Sequence, residues 1–353
     1  MSWNKWVLKL FWSLALPLLA SESGIASPSR VLPMNYSEKI SVAPMMDCTD
    51  RHFRYLLRLI SKHTTLYTEM VHTNQIIHGG VERFLSYSIE ERPLVLQLGG
   101  SEPSALAQCA KLAEKLGYDA VNLNVGCPSE RVQNGQFGAC LMKQGTLVAE
   151  CVAAMQEAIS IPVTVKTRLG VDEFDSDAYL YNFIETVAKT GCENFIIHAR
   201  KAWLKGLNPK QNRTLPPLNY ERVYQLKEKF PELYIGINGG IKTIPEIREH
   251  LKYVDAVMLG REAFNNPYLF SEIDRLFFAD ATELLSRIEV FRAYITYAKR
   301  QFSAGVKLNF LIRPILGLFH GLPGARQWRG YLTTEAYKQE RGVELLESSL
   351  AVF

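Results

Sequence analysis

The chain has 353 residues, which is enough for a domain of roughly 250 residues and a smaller second unit. Its apolar fraction of 47% and charged fraction of 22% are those of a globular protein and exclude a disordered or fibrous chain. The net charge of +4 permits a polyanionic partner without requiring one. From residue 281 onward, ten Lys and Arg stand against six Asp and Glu, so the positive charge is concentrated near the C-terminus.

The N-terminal segment is short, apolar and flanked by lysines. Trp6 to Ala20 reads WVLKLFWSLALPLLA and is followed by small residues, a pattern that resembles a secretory signal peptide. The run is too short, and too interrupted by Lys9, to predict a membrane span. The alternative is that Met34 is the true start. Residues 1–34 are therefore an N-terminal extension, either signal-like or a misassigned start, and both interpretations stay open.

The cysteines do not have the spacing of a metal site. No pair has C-x-x-C spacing, and no histidine pair lies near them at zinc-finger intervals, so we predict no metal site. In a chain of this length they are expected to be reduced thiols in a reducing compartment. The six are Cys48, Cys109, Cys127, Cys140, Cys151 and Cys192.

After Ser37, short β-rich runs alternate with longer amphipathic segments. Such alternation is typical of a parallel sheet, and eight units predict a closed (β/α)8 barrel, a TIM barrel, over residues 35–270. An open, doubly wound sheet is the structural alternative. The predicted strands are Ile40–Pro44, Leu66–Glu69, Leu94–Leu98, Ala120–Asn124, Val163–Lys166, Phe195–His198, Tyr234–Asn238 and Ala256–Leu259.

Beyond Pro267 the alternation stops and helical patterns follow one another. This predicts a small C-terminal all-α domain over residues 271–353. The predicted helices are Tyr268–Phe278, Ala281–Gln301, Val306–Leu318 and Thr333–Leu350.

Most predicted strands end on a polar residue or a glycine. In a barrel, the carboxyl ends of the strands converge on one mouth, where the active site forms. A single polar strand end would mean little, but a series in register is hard to explain as packing. The series runs from Pro44, Met45 and Met46 through Glu69, Gln97, Asn124, Lys166, Arg168, His198 and Asn238 to Gly260 and Arg261.

Two glycine-containing loops follow the last two predicted strands. Asn238-Gly239-Gly240 and Gly260-Arg261 allow backbone N–H groups to approach a phosphate closely. The loops after strands 7 and 8 are the usual phosphate site of this barrel. Because the chain has no G-x-G-x-x-G after its first strand, the pattern favours flavin mononucleotide (FMN) over a dinucleotide bound by a Rossmann fold.

Three further side chains at the predicted mouth carry chemistry. Lys166 would supply a cation that stabilises a reduced flavin ring, and His198 lies on the adjacent strand end. Cys127 follows Gly126 and precedes Pro128 in a turn, where a thiol can be a nucleophile, a metal ligand or a proton donor. A positioned thiol beside a hydride donor suits reduction of an activated C=C bond.

Two basic clusters suit a phosphate backbone. Lys210 and Arg213 lie in a long loop after the sixth strand, together with Lys201 and Lys205. Arg326 and Arg329 are three residues apart, so on a helix they would share a face around Trp328. We expect a basic, aromatic-bearing surface beside the active site. For either cluster alone, a solvated charged face is the alternative.

Three segments resemble the tRNA-dihydrouridine synthase family over about residues 38–345. They are Ser41–Asp47 (SVAPMMD), Asn122–Pro128 (NLNVGCP) and Asn238-Gly239-Gly240. The segment His198–Leu207 (HARKAWLKGL) is similar to the bacterial A-type subgroup, whose target is the D-loop at positions 20 and 20a. One departure is Cys48, where the family often has an aromatic residue.

The resemblance implies roles for individual residues. Cys127 would protonate C5 of uracil while reduced FMN gives hydride to C6, with NADPH as the reductant. Asn124 would contact the uridine or nearby RNA. The residues implied to contact FMN are Pro44, Met45, Met46, Gln97, Lys166, His198, Asn238, Gly239, Gly240, Gly260 and Arg261, and those implied to orient tRNA are Lys210, Arg213, Arg326 and Arg329.

The sequence thus predicts a flavin-dependent enzyme that reduces uridine in tRNA, in the cytoplasm. It implies no stable protein partner and no membrane, and we expect a monomer. One alternative is an FMN barrel that reduces a free pyrimidine, as dihydroorotate dehydrogenases do. The other is an RNA-binding protein that kept the barrel without redox activity.

Overall fold

The computed structural model describes residues 39–336, 338 and 342–352. The predicted N-terminal extension, residues 1–34, therefore lies outside the described residues.

The strands of the described residues form one parallel sheet of nine. Their order is β1-β9-β8-β7-β6-β5-β4-β2, and β3 also pairs with β4. They are β1 (Ile40–Val42), β2 (Leu66–Tyr67), β3 (Val71–His72), β4 (Leu94–Gly99), β5 (Ala120–Asn124), β6 (Val163–Arg168), β7 (Asn194–His198), β8 (Tyr234–Asn238) and β9 (Ala256–Leu259).

The sheet closes on itself between β1 and the start of β2. The N–H of Val42 donates to Thr65 O at 2.9 Å, and the N–H of Thr65 donates to Ile40 O at 3.1 Å. Closure leaves no exposed sheet edge, as a barrel requires. The predicted (β/α)8 barrel is confirmed, and the open doubly wound alternative is wrong.

The sequence predicts a single strand over Leu66–Glu69, but the structure has two short strands here, β2 and β3. Both β2 and β3 pair with β4. Between them, the hydroxyl of Thr68 accepts from the N–H of Gln97 at 3.1 Å and donates to Glu69 O at 2.7 Å. A side-chain hydroxyl thus takes the place of a backbone acceptor, and the ladder is interrupted there.

Helices follow the strands and cover the outside of the barrel. None of those within the described residues is long and apolar enough to cross a bilayer. The helices are α1 (Arg51–Ile60), α2 (Thr73–Gly79), α3 (Val81–Leu85), α4 (Pro103–Lys115), α5 (Glu130–Asn134), α6 (Gly145–Ala158), α7 (Asp177–Ala188), α8 (Glu221–Lys229), α9 (Ile244–His250), α10 (Arg261–Asn265), α11 (Ile273–Phe277), α12 (Arg287–Ser303), α13 (Leu308–Ile312), α14 (Ala325–Glu335) and α15 (Glu344–Ser348). Short 3-10 segments include Gly138–Lys143, Gln211–Arg213 and Arg313–Gly317.

All four predicted helices in the C-terminal region have the wrong bounds. The one predicted over Tyr268–Phe278 is a 3-10 segment, Pro267–Glu272, followed by α11, and the one predicted over Val306–Leu318 is α13 followed by the 3-10 segment Arg313–Gly317. The helix predicted from Ala281 begins at Arg287, because Ser286 caps it and forms a reciprocal capping box with Glu289. The helix predicted over Thr333–Leu350 is instead the end of α14 and the separate, short α15.

Three hydrophobic clusters are present among the described residues, and α1 takes part in the two larger ones. Phe53 and Leu57 are buried in the barrel core, whereas Leu56 is buried among the C-terminal helices. On the same helix, the ring of Tyr55 stacks on that of Tyr297 in α12 at 3.9 Å. The C-terminal helices therefore pack on the barrel through α1, and the domain boundary at residues 270 and 271 stays a prediction.

Candidate active site

The turn that carries Cys127 is fixed by a single side chain. Asn124, at the end of β5, accepts from the N–H groups of Gly126 at 3.1 Å and Cys127 at 3.0 Å through its Oδ1. The carbonyl of Cys127 accepts from the N–H of Ala139 at 2.9 Å. Its thiol is half-buried and contacts Ser129 Oγ at 3.7 Å. The turn therefore presents a thiol at the mouth on a backbone bonded from both sides.

A chain of buried amides runs from this turn into the barrel. Because two N–H groups donate to Asn124 Oδ1, its Nδ2 must face Gln97, and it donates to Gln97 Oε1 at 2.9 Å. Gln97 Nε2 in turn donates to Asn122 Oδ1 at 2.8 Å, and Asn122 Nδ2 donates to Thr164 Oγ1 at 2.8 Å. The backbone at the cysteine thus determines the orientation of every amide in the series.

The strand register brings the predicted mouth residues together. Asn124 lies opposite Lys166, Arg168 lies opposite His198, and His198 lies opposite Asn238. Lys166 Nζ donates to Asn238 Oδ1 at 3.0 Å, and Asn238 Nδ2 donates to Met258 O at 2.7 Å. The strand ends from β5 to β8 therefore form one continuous polar wall.

The electrostatics of this wall favour neutral bases over cations. Burial, reinforced by the nearby charge of Arg168, lowers the pKa of Lys166 to about 7. Burial also lowers the pKa of His198 well below its ordinary value, with Arg168 and Lys166 adding to the shift. His198 is therefore neutral at physiological pH, and an anionic group placed here would restore the charge of Lys166.

Two observations fit a flavin phosphate and ring at this wall. His198 Nδ1 is buried without a hydrogen-bond partner among the described residues, and a bound ligand could supply that partner. Gly239 and Gly240 have positive φ angles of 122° and 77°, and a Cβ on Gly240 would lie 2.6 Å from Leu218 Cδ1. Only glycine suits this close backbone, and a turn of this kind can direct its N–H groups at an anion.

The loop after β1 completes the mouth. The N–H of Met45 donates to Thr49 Oγ1 at 3.0 Å, and Met46 is 58% exposed. A Cβ on Gly260, after β9, would lie 3.8 Å from Met45 Sδ, so the first and last staves meet at this point. Pro44, Met45, Met46 and Gly260 thus lie along one side of the opening.

Arg168, at the end of β6, has a role that the sequence does not predict. It is 5% exposed, and its Nε donates to Gly126 O at 2.8 Å. Its Nη1 donates to Lys201 O at 3.3 Å and to Asn212 O at 3.1 Å. One guanidinium therefore joins the cysteine turn to two parts of the loop after β7. Its carbonyl partners are far away in the sequence, so no local pattern identifies this role.

The predicted basic residues lie on two separate elements. Lys210 and Arg213 are exposed in the loop after β7, and Arg261 Nη2 donates to Arg213 O at 3.4 Å. Arg326 and Arg329 lie on α14, the first exposed and the second half-buried. Arg261 therefore links the loop of Arg213 to the end of β9.

The prediction that Trp328 belongs to a basic, aromatic-bearing surface is wrong. Its side chain is 0% exposed, and its Nε1 donates to Ser349 Oγ at 3.0 Å. Its ring packs edge-on against Phe291 and Phe319 in the C-terminal core. At 3.6 residues per turn, Trp328 lies about 200° around the helix from Arg326 but only about 100° from Arg329. Its ring can therefore face the core while Arg326 is exposed and Arg329 is half-buried.

Comparison with known proteins identifies the family. The model of the family described as dihydrouridine synthase matches residues 41–352. A tRNA-dihydrouridine(20/20a) synthase of Escherichia coli (strain K12) is 57% identical over 318 residues, which cover 90% of this chain and 92% of that protein. The protein of the same name in Vibrio cholerae is 55% identical, covering 90% of this chain and 97% of its own.

A solved structure supports the fold alone. A 2-naphthoyl-CoA reductase in complex with 2-naphthoyl-CoA aligns with a TM-score of 0.51 and 10% identity, covering 67% of this chain and 49% of that chain. The family match over nearly all described residues, and relatives above half identity over more than nine-tenths of their own length, carry the stronger conclusion. The chain belongs to the dihydrouridine synthase family, whose members reduce uridine to dihydrouridine in tRNA.

Proposed function

We propose that this protein reduces the C5–C6 double bond of uridine at positions 20 and 20a of the tRNA D-loop, using FMN and NADPH. The carrying observation is the thiol of Cys127, presented at the barrel mouth by Asn124 beside the polar wall of Lys166, His198 and Asn238. The names of the relatives in Escherichia coli and Vibrio cholerae support the two target positions.

The chain's own residues suit FMN at the mouth. Gly239, Gly240, Gly260 and Arg261 would hold the phosphate, because Gly239 and Gly240 have positive φ angles and Arg261 is exposed. The ring would be held by the side chains that converge from the other staves. These are Pro44, Met45, Met46, Gln97, Lys166, His198 and Asn238.

The reduction needs one hydride and one proton. When bound, FMN reduced by NADPH supplies the hydride for C6 of uracil. Cys127 Sγ gives its proton to C5, so the S–H bond breaks as a C–H bond forms, and solvent then reprotonates the thiolate. Asn124 fixes the position of the thiol through the N–H of Cys127, and we propose that it also contacts the uridine or nearby RNA.

Access to the base requires binding of the surrounding RNA. A uridine must leave its stack to enter a barrel mouth, so the protein has to bind the flanking backbone as well. Lys210 and Arg213 lie beside the mouth, and Arg326 and Arg329 on α14 would contact more distant phosphates. We propose that the protein works as a cytoplasmic monomer.

The test is direct. The purified protein should be yellow, oxidise NADPH, and form dihydrouridine in an unmodified tRNA transcript, at positions 20 and 20a when the product is mapped by base. Free uracil and orotate are the controls. Turnover of either at the rate seen with tRNA would favour the free-pyrimidine reductase, and a protein that stays colourless with added FMN would favour an RNA-binding role without redox activity.

A further inference from the structure

The loop after β7 exposes a tryptophan beside the active-site mouth. Trp203 is 37% exposed, in contrast to Trp328, which is fully buried. Lys201 Nζ lies 4.1 Å from the centroid of its ring. The same ammonium pairs with Asp175 at 2.7 Å, so its position over the indole is set by a second contact. An indole presents a large flat π-face, so a partly exposed tryptophan offers a surface on which another planar group can stack.

The backbone of Trp203 is held in place by one buried side chain. Asn212, 0% exposed, accepts from the N–H of Trp203 and donates to its carbonyl, both at 2.8 Å. The next residue, Leu204, donates its N–H to Asp172 Oδ1 at 2.8 Å. The ring is thus mounted on a rigid segment rather than on a free loop, which lowers the entropic cost of binding to it.

This segment is also bonded to the cysteine turn. Gln133 Nε2 donates to Pro128 O at 2.8 Å and to Leu204 O at 2.9 Å. One nitrogen therefore contacts the residue after Cys127 and the residue after Trp203. Arg168 joins the same two segments through the carbonyls of Gly126 and Lys201. Gln133 and Arg168 therefore each hold the cysteine turn against the segment that carries Trp203.

The charge around the ring selects the class of partner. Lys210 and Arg213 are exposed on the short turn that contains Asn212, the residue that holds Trp203. An aromatic ring with cations around it suits a nucleic acid, because the ring stacks on a base while the cations contact phosphates. Stacking tolerates any base, so it fits a splayed single-stranded loop.

We propose that Trp203 stacks on an RNA base that neighbours the uridine delivered to Cys127. The inference rests on the proposed function, since it names how that site holds its substrate. Trp203 is then a binding residue for the flanking nucleotide, with Lys201 backing the ring and Asn212 fixing its position.

The experiment compares Trp203→Ala and Trp203→Phe with the wild-type protein, using an unmodified tRNA transcript labelled for anisotropy. Trp203→Ala should raise the Kd by roughly five- to a hundredfold, the range expected for loss of one base–aromatic stack. Trp203→Phe should keep most of the affinity because it keeps a ring. Since stacking releases no counterions, the plot of log Kd against log salt for Trp203→Ala should run parallel to that of wild type, whereas Lys210→Gln and Arg213→Gln should flatten it.

The matched control is Tyr253→Ala. Tyr253 is 47% exposed but lies between α9 and the start of β9, at the end of the barrel opposite the mouth. It should leave the Kd for tRNA unchanged. Flavin content and NADPH oxidation in the absence of tRNA should also match wild type in this variant.

Three outcomes would overturn the stacking role. Wild-type affinity in Trp203→Ala would exclude a stack, and an equal loss in Trp203→Phe would mean that the shape of the loop matters and not the ring. A raised KM for NADPH with unchanged tRNA affinity would give the ring to the reductant instead. Failure of the wild-type protein to bind or modify tRNA would instead refute the proposed function, which keeps the two failures distinct.

Discussion

Removing the sulfur of Cys127 should abolish nearly all catalysis at almost no cost in stability. The thiol is half-buried and makes a long contact of 3.7 Å with Ser129 Oγ. The bonds that shape the turn, from the N–H of Cys127 to Asn124 and from Ala139 to the carbonyl of Cys127, belong to the backbone and survive in Cys127→Ala. We therefore expect the free energy of unfolding to fall by less than about 1 kcal/mol.

The rate should respond very differently. A positioned general acid contributes about 10²- to 10⁴-fold, which is roughly 3 to 5 kcal/mol of transition-state stabilisation. The assay is a single turnover of anaerobically reduced protein with unmodified tRNA, with dihydrouridine counted over time and urea unfolding measured in parallel. Cys127→Ser is the matched control and should be slow as well, because a hydroxyl is a much weaker acid than a thiol. A wild-type rate in Cys127→Ala would refute the proton-donor role, and a large loss of stability would refute the account of the turn.

Three further predictions concern Arg168, Lys166 and the two arginines of α14. Lysine cannot reach all three carbonyls that Arg168 bonds, so Arg168→Lys should lose about 2 to 4 kcal/mol of stability and raise the KM for tRNA; an unchanged urea midpoint would contradict this. Because burial lowers the pKa of Lys166 to about 7, the unfolded chain binds one more proton than the FMN-free protein from pH 7 to about pH 10, so stability should rise over that interval. Lys166→Met should flatten this rise in urea titrations, and identical pH profiles would argue against a depressed pKa. Arg326→Gln and Arg329→Gln should weaken tRNA binding and reduce its salt dependence without affecting NADPH oxidation; salt slopes equal to wild type would remove both from the interface.

The barrel itself could be predicted because its evidence is local. Most apolar runs end on or beside a polar residue or a glycine, and β5, β8 and β9 have the bounds that the pattern of residues predicts. The division of the second stave was not predictable, since it depends on Thr68 bonding to Gln97, a residue of the next stave. The start of α12 was predictable in principle, because Ser286 and Glu289 have capping-box spacing, a signal that the helical periodicity upstream obscured.

The candidate site divides in the same way. Residues at strand ends, such as Lys166 and Asn238, follow from position alone, and the register confirms that they meet. Arg168 and Gln133 act through carbonyls of segments distant in the sequence, so only the folded chain shows which loops they join. Trp328 misled the prediction because spacing on a helix shows which residues share a face but not which face is buried.

The buried series of amides has a consequence for how this barrel can vary. Asn124, Gln97 and Asn122 each donate in one direction only, toward Thr164, which accepts the last bond. The direction is imposed by the two backbone N–H groups that donate to Asn124 Oδ1. Replacing one member with a carboxylate or an alkyl group of equal volume would leave its neighbours without a donor or an acceptor. These positions are therefore bound to change together or not at all. Asn122 and Thr164, for which no contact with substrate or flavin is proposed, therefore carry part of the information that specifies the active site.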